Sequence, residues 1–124
     1  MQEVIIHNLD QSQISPIKAY YCSSFLCRLR GLTFRRRLHP DRGLLLVQNR
    51  ETRLDAAIHM LFVWMDLAVI WINSSYEVVD VRLARSWRPI YLPRRSASYV
   101  LELNVARLND FTIGDRIDIE KKVD

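Results

Sequence analysis

His59 is the residue best suited to chemistry in this chain. It interrupts an apolar run, Ala56-Ala57-Ile58-His59-Met60-Leu61-Phe62, and an imidazole can change charge near neutral pH. A histidine in such a run is ordinarily a core residue hydrogen-bonded to backbone, so a ligand-binding or catalytic role needs a second group. Two carboxylates offer one. Asp66 follows in the same run, and Glu102 stands between Leu101 and Leu103. Either would give His59 a dyad partner in an unrecognised hydrolase. Nothing completes such a site. There is no G-x-S-x-G, and Cys22 and Cys27 lack the helix-start or basic setting that activates a thiol. The pattern therefore favours a protein that is not an enzyme. The structural use of Glu102 would be an internal ion pair, for example with Arg30.

The second chemical feature is basic. Arg28, Arg30, Arg35, Arg36, Arg37 and Arg42 crowd one stretch of sequence. Guanidinium groups grip phosphate and carboxylate with paired hydrogen bonds, although the same set would also serve as a solvated loop paired with Asp41. Nucleic-acid binding through Arg35–Arg42 is the alternative. Phe34 is the one aromatic residue interleaved there, which is thin support for base stacking. Trp87 and Arg88 pair an aromatic with a cation, as interface hot spots do, unless Trp87 merely covers the core. The favoured reading is a ligand- or protein-binding module for a small anionic ligand or peptide. Its groove would be bordered by Arg28, Arg30, Arg35, His59, Trp87, Arg88 and Glu102. His7, His39 and His59 are dispersed, so no metal site is expected. With three glycines in all, no phosphate loop or cofactor is expected either.

These residues must be positioned by a small fold. A chain of 124 residues suits one domain, here taken as 1–124. Its 49% hydrophobic and 26% charged content argues against disorder. The charge of +4 is carried almost wholly by arginine, lysine occurring only at Lys18, Lys121 and Lys122, and is too modest to name a partner. Cys22 and Cys27, placed on one helix, would point roughly 140° apart and could not bond, so they read as free thiols of a reducing compartment. Met1–Asp10 has no signal-peptide pattern, which points to the cytoplasm. Ala56–Ile72 nearly reaches membrane-spanning length. Asp66, His59 and its β-branched and aromatic content instead suit two buried strands, Ile58–Phe62 and Leu67–Ile72, joined by a turn near Met65–Asp66.

Further strands are expected at Glu3–His7, after Pro16 to Tyr21, Leu44–Gln48, Glu77–Leu83, Tyr99–Leu103 and Arg116–Ile119. Ser23 or Ser24 caps a helix to Arg30, with Phe25, Leu26 and Leu29 as its buried stripe and Gly31 as its C-cap. Thr33–Arg42 and Ala84–Ser98 read as loops, and Val105–Leu108 as one helical turn. The fold class is α+β, mostly β: a curled, largely antiparallel sheet, sandwich- or barrel-like, with one short helix.

Several segments, taken in order, carry a resemblance. Arg28-Leu29-Arg30-Gly31-Leu32-Thr33-Phe34-Arg35 resembles R-x-R-G-L-M-x-R of the domain of unknown function 192 family. Gly43–Leu46 is similar to its G-[LM]-L-[LF] strand, and Ile58-His59-Met60-Leu61-Phe62 to the I-H-[TM]-x-F variant. Leu67–Asn73 resembles L-D-[IV]-[IV]-F-[IL]-D with Ala68 in place of the aspartate. Trp87-Arg88-Pro89, Tyr99–Leu103 and Gly114-Asp115 resemble P-W-R, Y-V-L-E-L and the closing G-D, while Asn104-Val105-Ala106 replaces P-A-G. The resemblance implies a small β-rich domain, secreted or membrane-anchored in other members. It implies no reaction.

Overall fold

The computed structural model describes residues 2–33 and 35–122. Seven strands, β1 (Glu3–Asn8), β2 (Ile17–Cys22), β3 (Arg42–Thr52), β4 (Leu67–Ile72), β5 (Val78–Ala84), β6 (Ala97–Asn104) and β7 (Ile117–Lys121), form one sheet ordered β5-β4-β6-β3-β2-β1-β7. The helix α1 (Phe25–Arg30) links β2 to β3, the one parallel pair in the sheet. The sheet curls until its two ends touch, through a Glu77–Arg116 bridge and hydrogen bonds from Gly114 N to Val78 O and from Val78 N to Asp115 O. The mostly β, single-domain reading with a curled sheet and short helices is what the chain adopts.

The turn before β7 shows why the closing Gly-Asp is needed. Gly114 has φ +98°, a conformation that a side chain strains. Asp115, buried, accepts hydrogen bonds from Asn8 Nδ2, Gln11 Nε2 and Thr112 N at 2.8–2.9 Å. One carboxylate thereby ties β1, the loop after it and the turn.

The apolar run divides between two structures. β4 is buried at every position because both faces of the sheet are covered, which erases the alternation a half-exposed strand would show. Ala68, Ile70 and Ile72 face the inside of the curl with Val4, Ile6, Leu45, Leu101 and Leu103. Leu67, Val69 and Trp71 face outward with Leu44, Leu46 and Val100. The expected strand Ile58–Phe62 does not form. Ala56, Ile58, Met60 and Val63 are an irregular cover over that outer face. A single bridge to Tyr91 and a hydrogen bond from Trp71 Nε1 to Ala56 O (2.8 Å) hold it there. Its side chains are as buried as a strand's, but its backbone bonds go to the 85–91 loop. β3 also runs on to Thr52, beyond the expected strand Leu44–Gln48.

Two further expectations are corrected. Cys22 and Cys27 are not free thiols. They form a disulfide with Cα atoms 5.6 Å apart. Cys22 ends β2 while Cys27 lies in α1, so the same-helix geometry that forbade bonding does not apply. The argument for a reducing compartment falls with it. The helix has its expected Ser24 cap, accepting from Cys27 N at 3.2 Å, and its Gly31 stop at φ +50°. It buries no residue, however, and Phe25, Leu26 and Leu29 are 68%, 74% and 56% exposed. The disulfide and Arg28, not an apolar stripe, hold it to the sheet. Among the described residues no helix is long and apolar enough to cross a membrane.

At Gly43, β3 leaves little room for a side chain against β6. A Cβ there would lie 2.6 Å from Leu103 Cδ2 and 3.1 Å from Glu102 O. Gly43→Ala is expected to cost about 1–3 kcal/mol of unfolding free energy, read as a lower urea midpoint with unchanged m value. An unchanged midpoint would mean that β6 yields freely.

Candidate functional site

Glu102 lies midway along β6, opposite Leu44 of β3 and Val69 of β4. Strand alternation puts it on the outer face with Val100, beneath the cover formed by Gly31, Leu32 and the 58–63 segment. It is 4% exposed. Its carboxyl makes no hydrogen bond or ion pair among the described residues, so the expected pairing with Arg30 does not occur. Burial alone pushes its pKa from 4.5 up to about 7, because the charged form loses its hydration and gains no partner.

His59 lies in the cover. Its Nε2 sits 3.2 Å from Leu29 O, a contact that requires Nε2 to carry the proton and leaves Nδ1 an acceptor in the neutral ring. Nδ1 is buried and unpartnered, and so is Glu102 Oε1. Among the described residues these are the two orphaned buried side-chain atoms. Both residues line one cavity of about 40 Å³, roofed by residues 28–33. Beside it, sharing His59, Arg28 and Leu29, is a wider groove of about 390 Å³ walled by Phe25, Gln48, Asn49, Arg50 and Asp55.

The arginines separate by task. Arg28 is structural: its Nη1 donates to Ser23 O (2.7 Å) and Val47 O (3.0 Å), fastening α1 to β3. Arg42 pairs with Glu3 at 3.1 Å, and Arg36 lies 5.3 Å over the Trp64 ring. Arg30, Arg35 and Arg37 have no side-chain partner among the described residues. They line a cleft of about 480 Å³ together with Arg42, His39 and Tyr20, and no acidic residue joins them. Arg30, Gly31 and Leu32 form the partition between this cleft and the Glu102 cavity. Arg37 and His39 were not among the residues singled out as ligand contacts. The clustering of Arg35–Arg37 was the available signal.

Residues 6–119 match the family DUF192, described as Uncharacterized ACR. This chain belongs to the DUF192 family. It is 31% identical over 118 residues to a UPF0127 protein of Pyrococcus furiosus, covering 94% of this chain and 98% of that one. A UPF0127 protein of Thermococcus kodakarensis is 40% identical over 85 residues, 68% of this chain and 52% of the relative. The match to a Thermococcus gammatolerans UPF0127 protein covers 65% of that relative. The chain thus spans about half to two thirds of these Thermococcus proteins. Two crystal structures share the fold. One is of a candidate transcription regulator from Sinorhizobium meliloti 1021 (TM-score 0.77, 24% identity, 95% of this chain and 92% of that one). The other is of a protein of unknown function from Novosphingobium aromaticivorans DSM 12444 (TM-score 0.77, 19% identity, 94% and 83%).

The remaining candidates of this DUF192 domain sit elsewhere. Trp87, 41% exposed, packs edge-on against Phe62 and Trp64 at centroid distances of 5.0 and 5.1 Å. Arg88 stands 6.0 Å from the Tyr91 ring. Neither lines the His59 cavity, so the expected His59/Trp87/Arg88 cleft is not one recess. Asp66 accepts from Ser86 N at 2.8 Å and faces a different groove, with Arg36 and Met65. Of the two carboxylates weighed for His59, Glu102 is the one that shares its cavity. His7, Asp118 and Glu120, dispersed in sequence, meet across β1 and β7 with ligand atoms within 4.8 Å of one another. His7 is already bonded to Glu120 there, at 3.0 Å.

Proposed function

We propose that this DUF192 domain is a binding module for small multivalent anions, with phosphate or carboxylate groups gripped by Arg30, Arg35 and Arg37. The observation that supports it is that, among the described residues, these three guanidinium groups have no side-chain partner and no acid lines their cleft. Like charges gathered without a counter-charge repel one another and are relieved by an anion. Guanidinium forks also match oxyanion geometry. Among the described residues the rings in the cleft are Tyr20 and His39, so a row of stacked bases has little to rest on there. The small-anion reading therefore stands ahead of nucleic acid.

Calorimetric titration with pyrophosphate and with citrate tests this. Saturable binding that weakens from low to moderate salt is expected, because exposed charges are screened. In the double variant Arg30→Ala, Arg35→Ala the affinity should fall by about tenfold or more, since one charge-assisted bond contributes about 1.5–3 kcal/mol. If neither anion binds at millimolar concentration, or the double variant binds as well, the reading fails.

A further inference from the structure

We propose that the cavity between His59 and Glu102 is a recognition site for a primary carboxamide, the –CONH2 head of a ligand whose tail lies in the adjoining groove. The cavity is separate from the arginine cleft, and the inference does not depend on anion binding there.

Three observations lead to it. First, the two orphaned atoms come from different parts of the chain, the cover segment and β6, yet they line the same cavity. Leaving a buried polar atom unpaired costs about 1–3 kcal/mol, so two in one place call for a common partner. Second, their chemistry is complementary to an amide. His59 Nδ1 is an acceptor because Nε2 is committed to Leu29 O. Glu102, 4% exposed and without a counter-charge, is most comfortable as the neutral acid, which has one donor and one acceptor. A carboxylic acid and a primary amide pair in a ring: the acid O–H donates to the amide oxygen, and one amide N–H donates to the acid carbonyl. The second amide N–H then has His59 Nδ1 as its acceptor. Third, the size fits. At about 40 Å³ the cavity has room for roughly three water-sized atoms, and a carboxamide head has three non-hydrogen atoms.

Arg28 and Arg30 also belong to the lining, with His59, but Arg28 donates to the carbonyls of Ser23 and Val47 and neither guanidinium pairs with Glu102. An ammonium head has donors only, so it would leave the acid O–H of Glu102 without an acceptor. A carboxylate head has no donor, so it would leave both His59 Nδ1 and the acid carbonyl of Glu102 without a partner. Phe25 and Leu29, exposed on α1, give the groove an apolar side for a short alkyl tail.

The test is a titration of the isotope-labelled full chain with butyramide, n-butylammonium and butyrate, followed by NMR at the Glu102 carboxyl carbon and the His59 ring nitrogens. Butyramide is expected to give saturable shifts at both residues, with Glu102 still protonated. Its affinity should fall as pH rises through about 7, by up to about tenfold per pH unit once the acid form is lost. Glu102→Gln keeps an acceptor and a donor, so it should bind within a few-fold of wild type but without pH dependence. Glu102→Met should lose binding altogether. A cavity that merely holds water would give no saturable shift with butyramide at about 100 mM, and that result overturns the proposal. So would tighter binding of n-butylammonium or butyrate, or a Glu102→Gln variant that retains the pH dependence.

Discussion

Glu102→Met is expected to be more stable than wild type at about pH 8, and the difference should shrink by the pH-dependent part toward pH 4.5. The sign follows from proton counts. The folded-state pKa of Glu102 is about 7, against 4.5 for the free side chain. Between those values the folded protein holds a proton that the unfolded chain has released. Stability therefore falls as pH rises through that window and levels off above it. The span corresponds to about 3 kcal/mol at about 1.4 kcal/mol per pKa unit. Methionine has similar length and no charge, so it removes the pH-dependent penalty without opening a large void. Urea unfolding of both proteins at about pH 5 and about pH 8 checks the result. Parallel pH profiles would show that Glu102 is not held in an uncompensated site. A buried acid kept at such a cost is what a binding site demands, since stability is commonly given up where function needs a polar group.

The second large effect is expected at Arg107, in the 3-10 turn Val105–Asp110 that follows β6. Its guanidinium is buried, donates to Ser15 O (2.6 Å) and Pro40 O (3.0 Å), and pairs with Asp110 and Asp41. One side chain thus fastens the segment before β2 and the segment before β3 to the end of β6. Arg107→Ala would leave those carbonyls unbonded and Asp110 without its partner. We expect a loss of about 2–3 kcal/mol, chiefly the charge-assisted hydrogen bonds to the two carbonyls, since Asp110 and Asp41 are 28% and 61% exposed and can be rehydrated. Pro40 adjoins His39 and Arg42 of the arginine cleft, so pyrophosphate affinity should fall as well, although Arg107 does not line the cleft. Denaturant titration and calorimetry on the same variant check both effects. A loss under 1 kcal/mol with unchanged affinity would show that the two segments hold their places without Arg107.

Much of the sheet is legible from local pattern. Glu77–Leu83 is found as the hairpin partner of β4, although burial does not follow its alternation, Val78, Val79 and Asp80 all being buried beside a register shift. Ser24 and Gly31 bracket α1 as cap and stop because both roles depend on backbone within a few residues. The site is legible only in parts. His59, Glu102 and the arginines stand out by type, but the partition among them does not. That Arg28 serves as a fastener while Arg30, Arg35 and Arg37 stay free depends on carbonyls of Ser23 and Val47 that no spacing rule reveals.

What the amino-acid order alone determined is the mostly β class and the places of the seven strands that do form, because side-chain period and turn chemistry act over neighbouring residues. The tertiary structure decided the rest. It made Ile58–Phe62 a cover and not a strand, since burial by a distant sheet and burial within one leave the same apolar signature. It joined Cys22 to Cys27 by ending β2 between them, and it left the apolar side of α1 in solvent. It also brought the unpaired atoms of His59 and Glu102 to one cavity. Each of these outcomes rests on contacts between segments far apart in the chain, and a local pattern carries no record of them.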